Sequence, residues 1–251
     1  MMQEITSRKN PLVQHLKKLG TDKAYRQFCG TFLCDGIKLY EEAVKLGVNV
    51  EIFATSDPNQ AKGLAAEEVV LLPQDVLESI SPQKSPQTLL FTCSIPEQKP
   101  AISPKHVLIL DGIQDPGNLG TLIRTASAFS VDQVLVTGET ADLYHPKTVR
   151  STMGAIFHQN VSHMSVDEIK NYVNQHGLHL LGAALGENAV TAGESLPPKT
   201  AIAIGSEGQG LSQKLLDICH STIKIPISDA VESLNAAIAG AVLMWELYRT
   251  K

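Results

Sequence analysis

The chain has 251 residues, a formal net charge of −5 and 43% hydrophobic residues. A chain of this length forms one large domain or two ordinary ones, and either buries a substantial core without disulfides or metal ions. Its four cysteines form no CxxC pair, which disfavours a zinc site and indicates thiols in a reducing compartment. The longest apolar stretch, from Ala236 to Trp245, is half of the roughly 20 residues that a membrane span needs. We therefore expect a cytoplasmic protein that binds neither a metal nor a membrane.

Basic residues are concentrated near the N-terminus, although the whole chain is acidic. Residues 1–30 carry six basic and two acidic side chains. A local basic segment is typical of a protein that contacts phosphate with one part only, but on charge alone a solvated helix face is the more economical interpretation. The basic side chains are Arg8, Lys9, Lys17, Lys18, Lys23 and Arg26.

The first 95 residues predict a small α/β unit. Asn10 and Pro11 are a cap and a first-turn proline, so a short helix with a basic outer side begins there. Asp35 is predicted to cap a second helix. The inward positions of that second helix are Ile37, Tyr40 and Val44. Strands are expected at 31–34, 50–54, 69–72 and 88–93, with a helical turn at 75–80, and this alternation is typical of α/β units.

Three prolines then fall within nine residues of low apolar content, Pro96, Pro100 and Pro104. This composition predicts a semi-rigid linker at residues 96–104. We therefore place one domain at residues 1–95 and a second at residues 105–251.

The sequence pattern of the second domain predicts a parallel sheet covered by helices on both faces. Strands are expected at 106–110, 131–136, near 161, and at 178–183, 201–204 and 222–225. Helices are expected after Asn118, at 146–154, at 166–175 and after Asn235, and in such a sheet ligands lie beyond the carboxyl ends of the strands. Asn118 is predicted as the N-cap of a helix that leaves Arg124 off its buried stripe. The last helix is predicted to be buried through Leu234, Ile238, Ala241, Val242 and Trp245.

Several common chemistries have little support. Gly205, Gly208 and Gly210 are spaced GxxGxG, the reverse of the dinucleotide-binding fingerprint. The chain has no P-loop lysine, no HExxH and no GxSxG elbow, and its eight histidines are dispersed. These features disfavour nucleotide hydrolysis, zinc chemistry and serine hydrolysis.

Polar residues occur instead in three separated segments, PGNLGTLIRTASAF, IGSEGQGLS and IPISDAVESLN. The three resemble, in order and separation, the signature motifs of the SpoU (TrmH-like) branch of the SPOUT methyltransferases. That family transfers a methyl group from S-adenosylmethionine to a ribose 2′-hydroxyl of rRNA or tRNA. The N-terminal segments KNPLVQHLKKL and FLCDGIKLYEEAVKLGV resemble the small L30e-like RNA-binding domain that many members carry.

The resemblance implies a fold, partners and a site. The fold is an α/β parallel sheet with a C-terminal trefoil knot, preceded by a small α/β L30e-like domain, and members act as homodimers on RNA, here most simply rRNA. Backbone groups around Gly205, Ile225 and Leu234 would hold S-adenosylmethionine. The methyl-transfer site would be lined by Asn118, Arg124, Glu207, Ser233 and Asn235.

The role of Arg124 and several alternatives stay open at this point. The family assigns the matching arginine as the base, but a guanidinium resists deprotonation, so we favour a role in binding the target phosphate and polarising the hydroxyl. Asn118, Ser233 or Asn235 taken singly could be helix caps, Glu207 a solvated acid, and Arg124 a surface ion-pair partner.

The function also has competing interpretations. The chain could be a catalytically silent RNA-binding or ribosome-assembly protein of the same fold, or a tRNA 2′-O-methyltransferase. It departs from the family pattern at Asp229, where glycine is usual, and at Ala236 and Ala237, where valine and serine are frequent. Aspartate adopts a positive φ less readily than glycine, so these departures put cofactor affinity in question.

Overall fold

The computed structural model describes residues 2–62, 65–81, 87–184, 189–228 and 230–249. The chain forms two compact units. Unit 1 comprises Met1–Glu97 and Asp142–His158, and unit 2 comprises Gln98–Ala141 and Gln159–Lys251. None of the helices within the described ranges has the length and apolar character to cross a membrane.

Strands and helices alternate along most of the chain. The strands are β1 (Met2–Glu4), β2 (Thr31–Asp35), β3 (Val50–Thr55), β4 (Glu68–Leu71), β5 (Leu89–Ser94), β6 (His106–Asp111), β7 (Gln133–Thr137), β8 (Val161–His163), β9 (His179–Ala183), β10 (Val190–Thr191), β11 (Thr200–Gly205) and β12 (Ser221–Lys224). The helices are α1 (Pro11–Thr21), α2 (Lys23–Cys29), α3 (Ile37–Lys45), α4 (Gln74–Glu78), α5 (Pro116–Ala128), α6 (Pro146–Thr152), α7 (Val166–His176), α8 (Gln213–Leu216) and α9 (Ala236–Arg249).

Unit 1 contains a mixed five-stranded sheet in the order β1-β4-β3-β5-β2. β1, β4 and β3 are parallel, whereas β5 is antiparallel to both β3 and β2. The four strands expected from the sequence are confirmed, and β1 and α2 were not expected. Asn10 caps α1 as predicted, since its side chain accepts a hydrogen bond from the Leu12 amide at 2.8 Å.

The predicted start and inner face of α3 are wrong. Asp35 ends β2, and its carboxylate accepts hydrogen bonds from Ser81 and Gln87 instead of capping the helix. The helix begins after Gly36, whose φ of 116° favours glycine. This start turns Leu39, Tyr40 and Ala43 inward, and it leaves two of the predicted inner residues exposed, Ile37 and Val44.

One of the six basic residues near the N-terminus is buried. Arg26 of α2 is 2% exposed and forms an ion pair with Asp142 at 2.5 Å. Its guanidinium also donates to the Leu19 carbonyl at 2.6 Å. Burial is possible because a carboxylate and a backbone carbonyl replace the lost water. Arg26 is therefore not available to bind phosphate.

The segment Asp142–His158 belongs to the core of unit 1, although it lies between β7 and β8 in sequence. Val149 and Ile156 are buried in the cluster that contains Phe32 and Phe53. The ring of Tyr144 also lies 5.0 Å from that of Phe32. Unit 1 is thus built from two separate stretches of chain.

Unit 2 contains a seven-stranded sheet in the order β10-β12-β9-β11-β6-β7-β8, and every pair in it is parallel. The predicted α/β class with a parallel sheet is confirmed. Only the shortest elements, β10 and α8, were not expected. The trefoil knot and the domain boundaries stay predictions.

The buried face of α9 differs from the predicted one. Ile238 is 55% exposed and Trp245 is 48% exposed. Gly240 lies on the buried face, where an added Cβ would come within 2.2 Å of Leu122 on α5. The close approach of the two helices at this glycine sets the rotation of α9, and periodicity alone did not distinguish its two apolar faces.

Candidate active site

The carboxyl ends of neighbouring strands meet at one edge of the unit 2 sheet. β6 ends at Asp111 and β11 at Gly205, and these two residues are direct partners in the parallel register. Because all strands run in the same direction, the loops that follow them leave from the same edge. The polar loops of the sequence motifs are thereby gathered in one place.

The loop after β11 folds back tightly on the end of its own strand. The backbone groups of Ser206 and Gly210 exchange two hydrogen bonds, at 3.1 and 2.9 Å. A Cβ on Gly205 would lie 2.0 Å from the carbonyl carbon of Gly210. Only glycine fits at residue 205, because the obstructing atoms are backbone atoms that no rotamer change can move.

Asp111 fixes the far end of this loop. Its side chain is buried, and Oδ2 accepts a hydrogen bond from the Ser212 amide at 2.7 Å. Sequence analysis overlooked this residue. A charged residue at the end of an otherwise apolar buried strand was the signal that could have identified it, since buried carboxylates require partners.

Three predicted site residues, one from each motif, form a hydrogen-bonded cluster. The Asn118 side-chain amide donates to Glu207. The Asn235 amide donates to Asn118 Oδ1 at 3.3 Å and to Glu207 Oε1 at 3.4 Å. We call Asn118, Glu207 and Asn235 the amide–carboxylate cluster. Residues separated by up to 117 positions in sequence thus share one network.

Helix capping accounts for Asn235 of the amide–carboxylate cluster but not for Asn118. Asn118 was expected to cap α5, and this prediction is wrong, because Asp115 is the N-cap and accepts from the Asn118 amide at 2.9 Å. The Asn118 side chain is thereby available for Glu207. Asn235 does cap α9, as its Oδ1 accepts from the Ala237 amide at 2.9 Å while its Nδ2 still donates to the cluster.

An open cavity of about 280 Å³ lies beside the amide–carboxylate cluster. Glu207 is part of both, which places the cluster at the wall of the cavity. Gly205, Ile225 and Leu234, the residues predicted to hold the cofactor, all line it, as does Ser233. Most of the wall is apolar. The charged side chains that line it, within the described ranges, are Glu207, Lys224 and Glu232.

The comparison with protein families agrees with the sequence motifs. The model described as the SpoU rRNA Methylase family matches residues 105–245, more than half of the chain. The chain belongs to the SpoU rRNA methylase family. A second model, described as an MRM3-like substrate binding domain, matches residues 10–90. The predicted resemblance to the SpoU family with an N-terminal substrate-binding domain is confirmed.

Relatives of this SpoU family member are similar over nearly their full length. The 23S rRNA (guanosine(2553)-2'-O)-methyltransferase RlmP of Bacillus subtilis is 35% identical over 98% of this chain and 99% of its own. A crystal structure of an AdoMet-bound rRNA methyltransferase from Sinorhizobium meliloti is 27% identical with a TM-score of 0.87, covering 99% and 98% of the two chains. An RNA 2'-O ribose methyltransferase structure is 28% identical with a TM-score of 0.84, covering 99% of both chains.

The fifth predicted site residue of this SpoU protein stands apart from the amide–carboxylate cluster. Arg124 lies on the exposed side of α5, off its buried stripe, as predicted. Within residues 2–62, 65–81, 87–184, 189–228 and 230–249, it forms no hydrogen bond or ion pair. Its guanidinium is therefore free to meet a ligand or a second chain.

The positions that depart from the SpoU pattern have different outcomes. Ala236 and Ala237 are buried in the first turn of α9, where small side chains allow close packing. Asp229 lies outside the described residues. No group of three histidine, cysteine or acidic side chains arranged to hold a metal ion occurs in the part of the chain that is described.

Proposed function

We propose that this SpoU family member transfers a methyl group from S-adenosylmethionine to a ribose 2′-hydroxyl of rRNA. The observation that carries this proposal is the amide–carboxylate cluster at the wall of an apolar cavity, built from all three sequence motifs. The full-length relatives named as rRNA methyltransferases support the choice of RNA.

The residues of the cavity fit S-adenosylmethionine. Apolar side chains such as Ile225 and Leu234 offer surfaces for the adenine ring. Among the described residues, two carboxylates and one lysine line the cavity, a balance that suits a cationic sulfonium better than a phosphate. Gly205 also lines the cavity, so its backbone lies beside the space that the cofactor would occupy. When bound, the cofactor supplies an electrophilic methyl group to an oxygen nucleophile.

The amide–carboxylate cluster would position the groups that react. Each of its three side chains is held by the other two, and Asn235 is further fixed by its capping bonds to α9. Alignment of two bound substrates supplies as much as about 7–11 kcal/mol of a transfer barrier. A cluster that is rigid before substrate binds makes this alignment possible at a small entropic cost.

Arg124 would bind the RNA and not act as a base. Its planar guanidinium suits a bidentate contact with the target phosphate. Polarisation of the nearby 2′-hydroxyl would then ease loss of its proton late in the reaction. The pH–rate profile of Arg124→Lys tests this role. Turnover equal to that of the wild type would show that the bidentate contact is not needed.

The active form would be a cytoplasmic homodimer. The rings of Phe129, Trp245 and Tyr248 form an aromatic group on α9 and the end of α5, with centroids 5.7 to 6.0 Å apart. Trp245 and Tyr248 are 48% and 42% exposed. An exposed group of this kind is typical of a protein interface. Sedimentation velocity of Trp245→Glu should show a monomer, and an unchanged dimer would contradict this interface.

Mapping of 2′-O-methylation across total RNA, in cells with and without the gene, tests the activity. We expect one rRNA site to be lost, and guanosine 2553 of 23S rRNA, the nucleotide in the name of the Bacillus subtilis relative, is the first to inspect. Reintroduction of Asn118→Ala should fail to restore it. Calorimetry with millimolar S-adenosylmethionine distinguishes the enzyme from a catalytically silent RNA-binding protein of the same fold. The silent protein would bind RNA but not the cofactor.

A further inference from the structure

An exposed aromatic ring lies near the N-terminus of unit 1. Phe28, in the last turn of α2, is 88% exposed, whereas Phe32, Phe53 and Phe91 of the same unit are fully buried. One exposed apolar side chain is ordinary and needs no explanation. The groups around Phe28 are what make it informative.

A second ring and a cation lie on the same pair of helices. Tyr25 precedes Phe28 by three residues, which places both on one side of α2. The ammonium of Lys18, on α1, lies 5.0 Å from the centre of the Tyr25 ring. The Tyr25 hydroxyl is held by His15 Nδ1 at 2.9 Å. The tyrosine ring and the lysine are thus fixed by contacts between α1 and α2.

Positive charge on these helices is not neutralised. Residues 9–29 contain Lys9, Lys17, Lys18 and Lys23 but only one acidic residue, Asp22. The Asp22 carboxylate accepts from the Tyr25 amide as the cap of α2. None of the four lysines forms an ion pair with another described residue. In a chain of net charge −5, this is a local attraction for a polyanion.

The carboxylate of Glu51 is engaged in hydrogen bonds within the unit 1 sheet. Glu51 accepts hydrogen bonds from Thr31 at 3.1 Å and from Ser94 at 2.6 Å. Both donors belong to neighbouring strands of the unit 1 sheet. Glu51 is therefore held within the sheet and forms no ion pair with these lysines in the part of the chain that the structure describes.

We propose that Lys18, Tyr25 and Phe28, with Lys17 on the same two helices, bind a single-stranded segment of the RNA substrate. We call these four residues the aromatic–basic face. An unpaired base stacks on the Phe28 ring, and backbone phosphates meet the lysines. Base stacking on an aromatic ring requires an unstacked base, so the exposed ring favours a loop or single strand over a duplex. This inference rests on the proposed function, since it assigns a contact to the same RNA.

Fluorescence anisotropy with a labelled single-stranded oligoribonucleotide of mixed sequence, and with its duplex, tests the aromatic–basic face on the full-length protein. Phe28→Ala should weaken single-strand binding by about 5- to 150-fold, the effect of losing one base stack, and should change duplex binding little. Phe28→Tyr should restore it. Replacement of Lys17 and Lys18 by glutamine should lower the slope of log affinity against log salt by about 0.7 per lysine.

Matched controls lie in unit 2. Ile102 is 90% exposed, so Ile102→Ala removes an equally exposed apolar side chain, and Lys170→Gln removes an exposed lysine of α7. Neither should change RNA affinity. If Phe28→Ala binds single-stranded RNA as tightly as Ile102→Ala does, the inference is overturned. It is also overturned if Phe28→Ala instead changes the sedimentation of the protein, because the face would then contact a second copy.

The result can be separated from that of the proposed function. Photocrosslinking to RNA that contains 4-thiouridine should attach the RNA to the peptide that includes Phe28, whether or not a methyl group is transferred. Crosslinking there without any rRNA methylation would contradict the proposed function and support the aromatic–basic face. Normal methylation by Phe28→Ala, with crosslinks only to other peptides, would support the proposed function and contradict the aromatic–basic face.

Discussion

In unit 2 all seven strands run in one direction, whereas in unit 1 the strand β5 runs against both of its neighbours, β3 and β2. Asp111 and Asp35 show how this difference in strand direction affects the residues at the strand ends. Each is a buried aspartate that ends a strand. Asp111 holds the amide of Ser212 at the end of the loop that lines the cavity, while Asp35 holds Ser81 and Gln87 within unit 1.

The strand direction explains the two outcomes. Parallel strands deliver every following loop to one edge, so Asn118 and Glu207, which follow β6 and β11, meet there. An antiparallel strand sends neighbouring loops to opposite edges. Unit 1 therefore collects no comparable polar cluster among its described residues, and it presents helix surfaces such as the aromatic–basic face. The two proposals accordingly place the methyl transfer in unit 2 and a contact with single-stranded RNA in unit 1.

The largest expected effect is on the stability of unit 1. Arg26→Ala leaves the partly buried Asp142 without its partner, and breaking such a pair costs about 3–5 kcal/mol. Denaturant unfolding should show this loss. Arg8→Ala is the control, because Arg8 and Asp75 are both exposed and their pair contributes less than about 1 kcal/mol. Equal losses in the two variants would contradict the structural role of Arg26.

The next effect concerns the cavity of unit 2. Gly205→Ala brings a methyl group against the backbone of Gly210, so we expect a loss near the upper end of the roughly 1–3 kcal/mol that overpacking costs. Calorimetry should show no binding of S-adenosylmethionine. Gly208→Ala is matched, since its Cβ would meet nothing within 4 Å, and it should bind normally. Normal binding of S-adenosylmethionine by Gly205→Ala would show that the conformation of this loop is not required for cofactor binding.

Asp111 and Asp35 test the comparison directly. Either change to asparagine removes a charged acceptor of buried hydrogen bonds and should cost about 1.5 kcal/mol in the free energy of unfolding. Only Asp111→Asn should raise the dissociation constant for S-adenosylmethionine, because only Asp111 holds the loop that lines the cavity. A loss of about 1.4 kcal/mol in binding corresponds to a rise of about tenfold. A similar rise in Asp35→Asn would show that the two units are not distinct in function.

The smallest effect is at the start of α7. Ser165 and Glu168 form a capping box, and Ser165→Ala should cost about 1 kcal/mol by thermal unfolding. Ser212→Ala at the start of α8 is the control, because its side chain makes no capping bond. Hydrogen bonds from the Ser165 amide and hydroxyl lower the pKa of Glu168, so the ionised form stabilises the folded state. The stabilisation is present above the ordinary carboxyl pKa and fades as the pH falls, so the difference between Ser165→Ala and the wild type should shrink in acid.

Local sequence signals predicted the elements well. Asn10 and Pro11 marked the start of α1, and apolar runs followed by glycine or proline marked β11 and β12. Signals of this kind depend on a few neighbouring residues, so they can be read from the sequence without knowledge of the fold. The three motifs also held every residue of the amide–carboxylate cluster, because a polar residue beside a strand end is visible in the sequence.

Long-range burial was not visible in the same way. The sequence shows Arg26 among five other basic residues, and only the packing of Asp142 against α2 reveals that it points inward. The apolar positions of α9 fit two faces, and the contact at Gly240 decides between them. Asp115 and Asn118 are both good caps, and the sheet edge decides which side chain reaches Glu207.

The sequence by itself determined the order of most strands and helices, the family and the identity of the polar residues, since these follow from neighbouring residues and from motif spacing. The tertiary structure decided which polar residues meet, which basic residue is buried and which unit holds residues 142–158. Those outcomes depend on contacts between residues that lie up to 117 positions apart. The free energy of burying a group depends on all the neighbours it finds, and no short stretch of chain contains them.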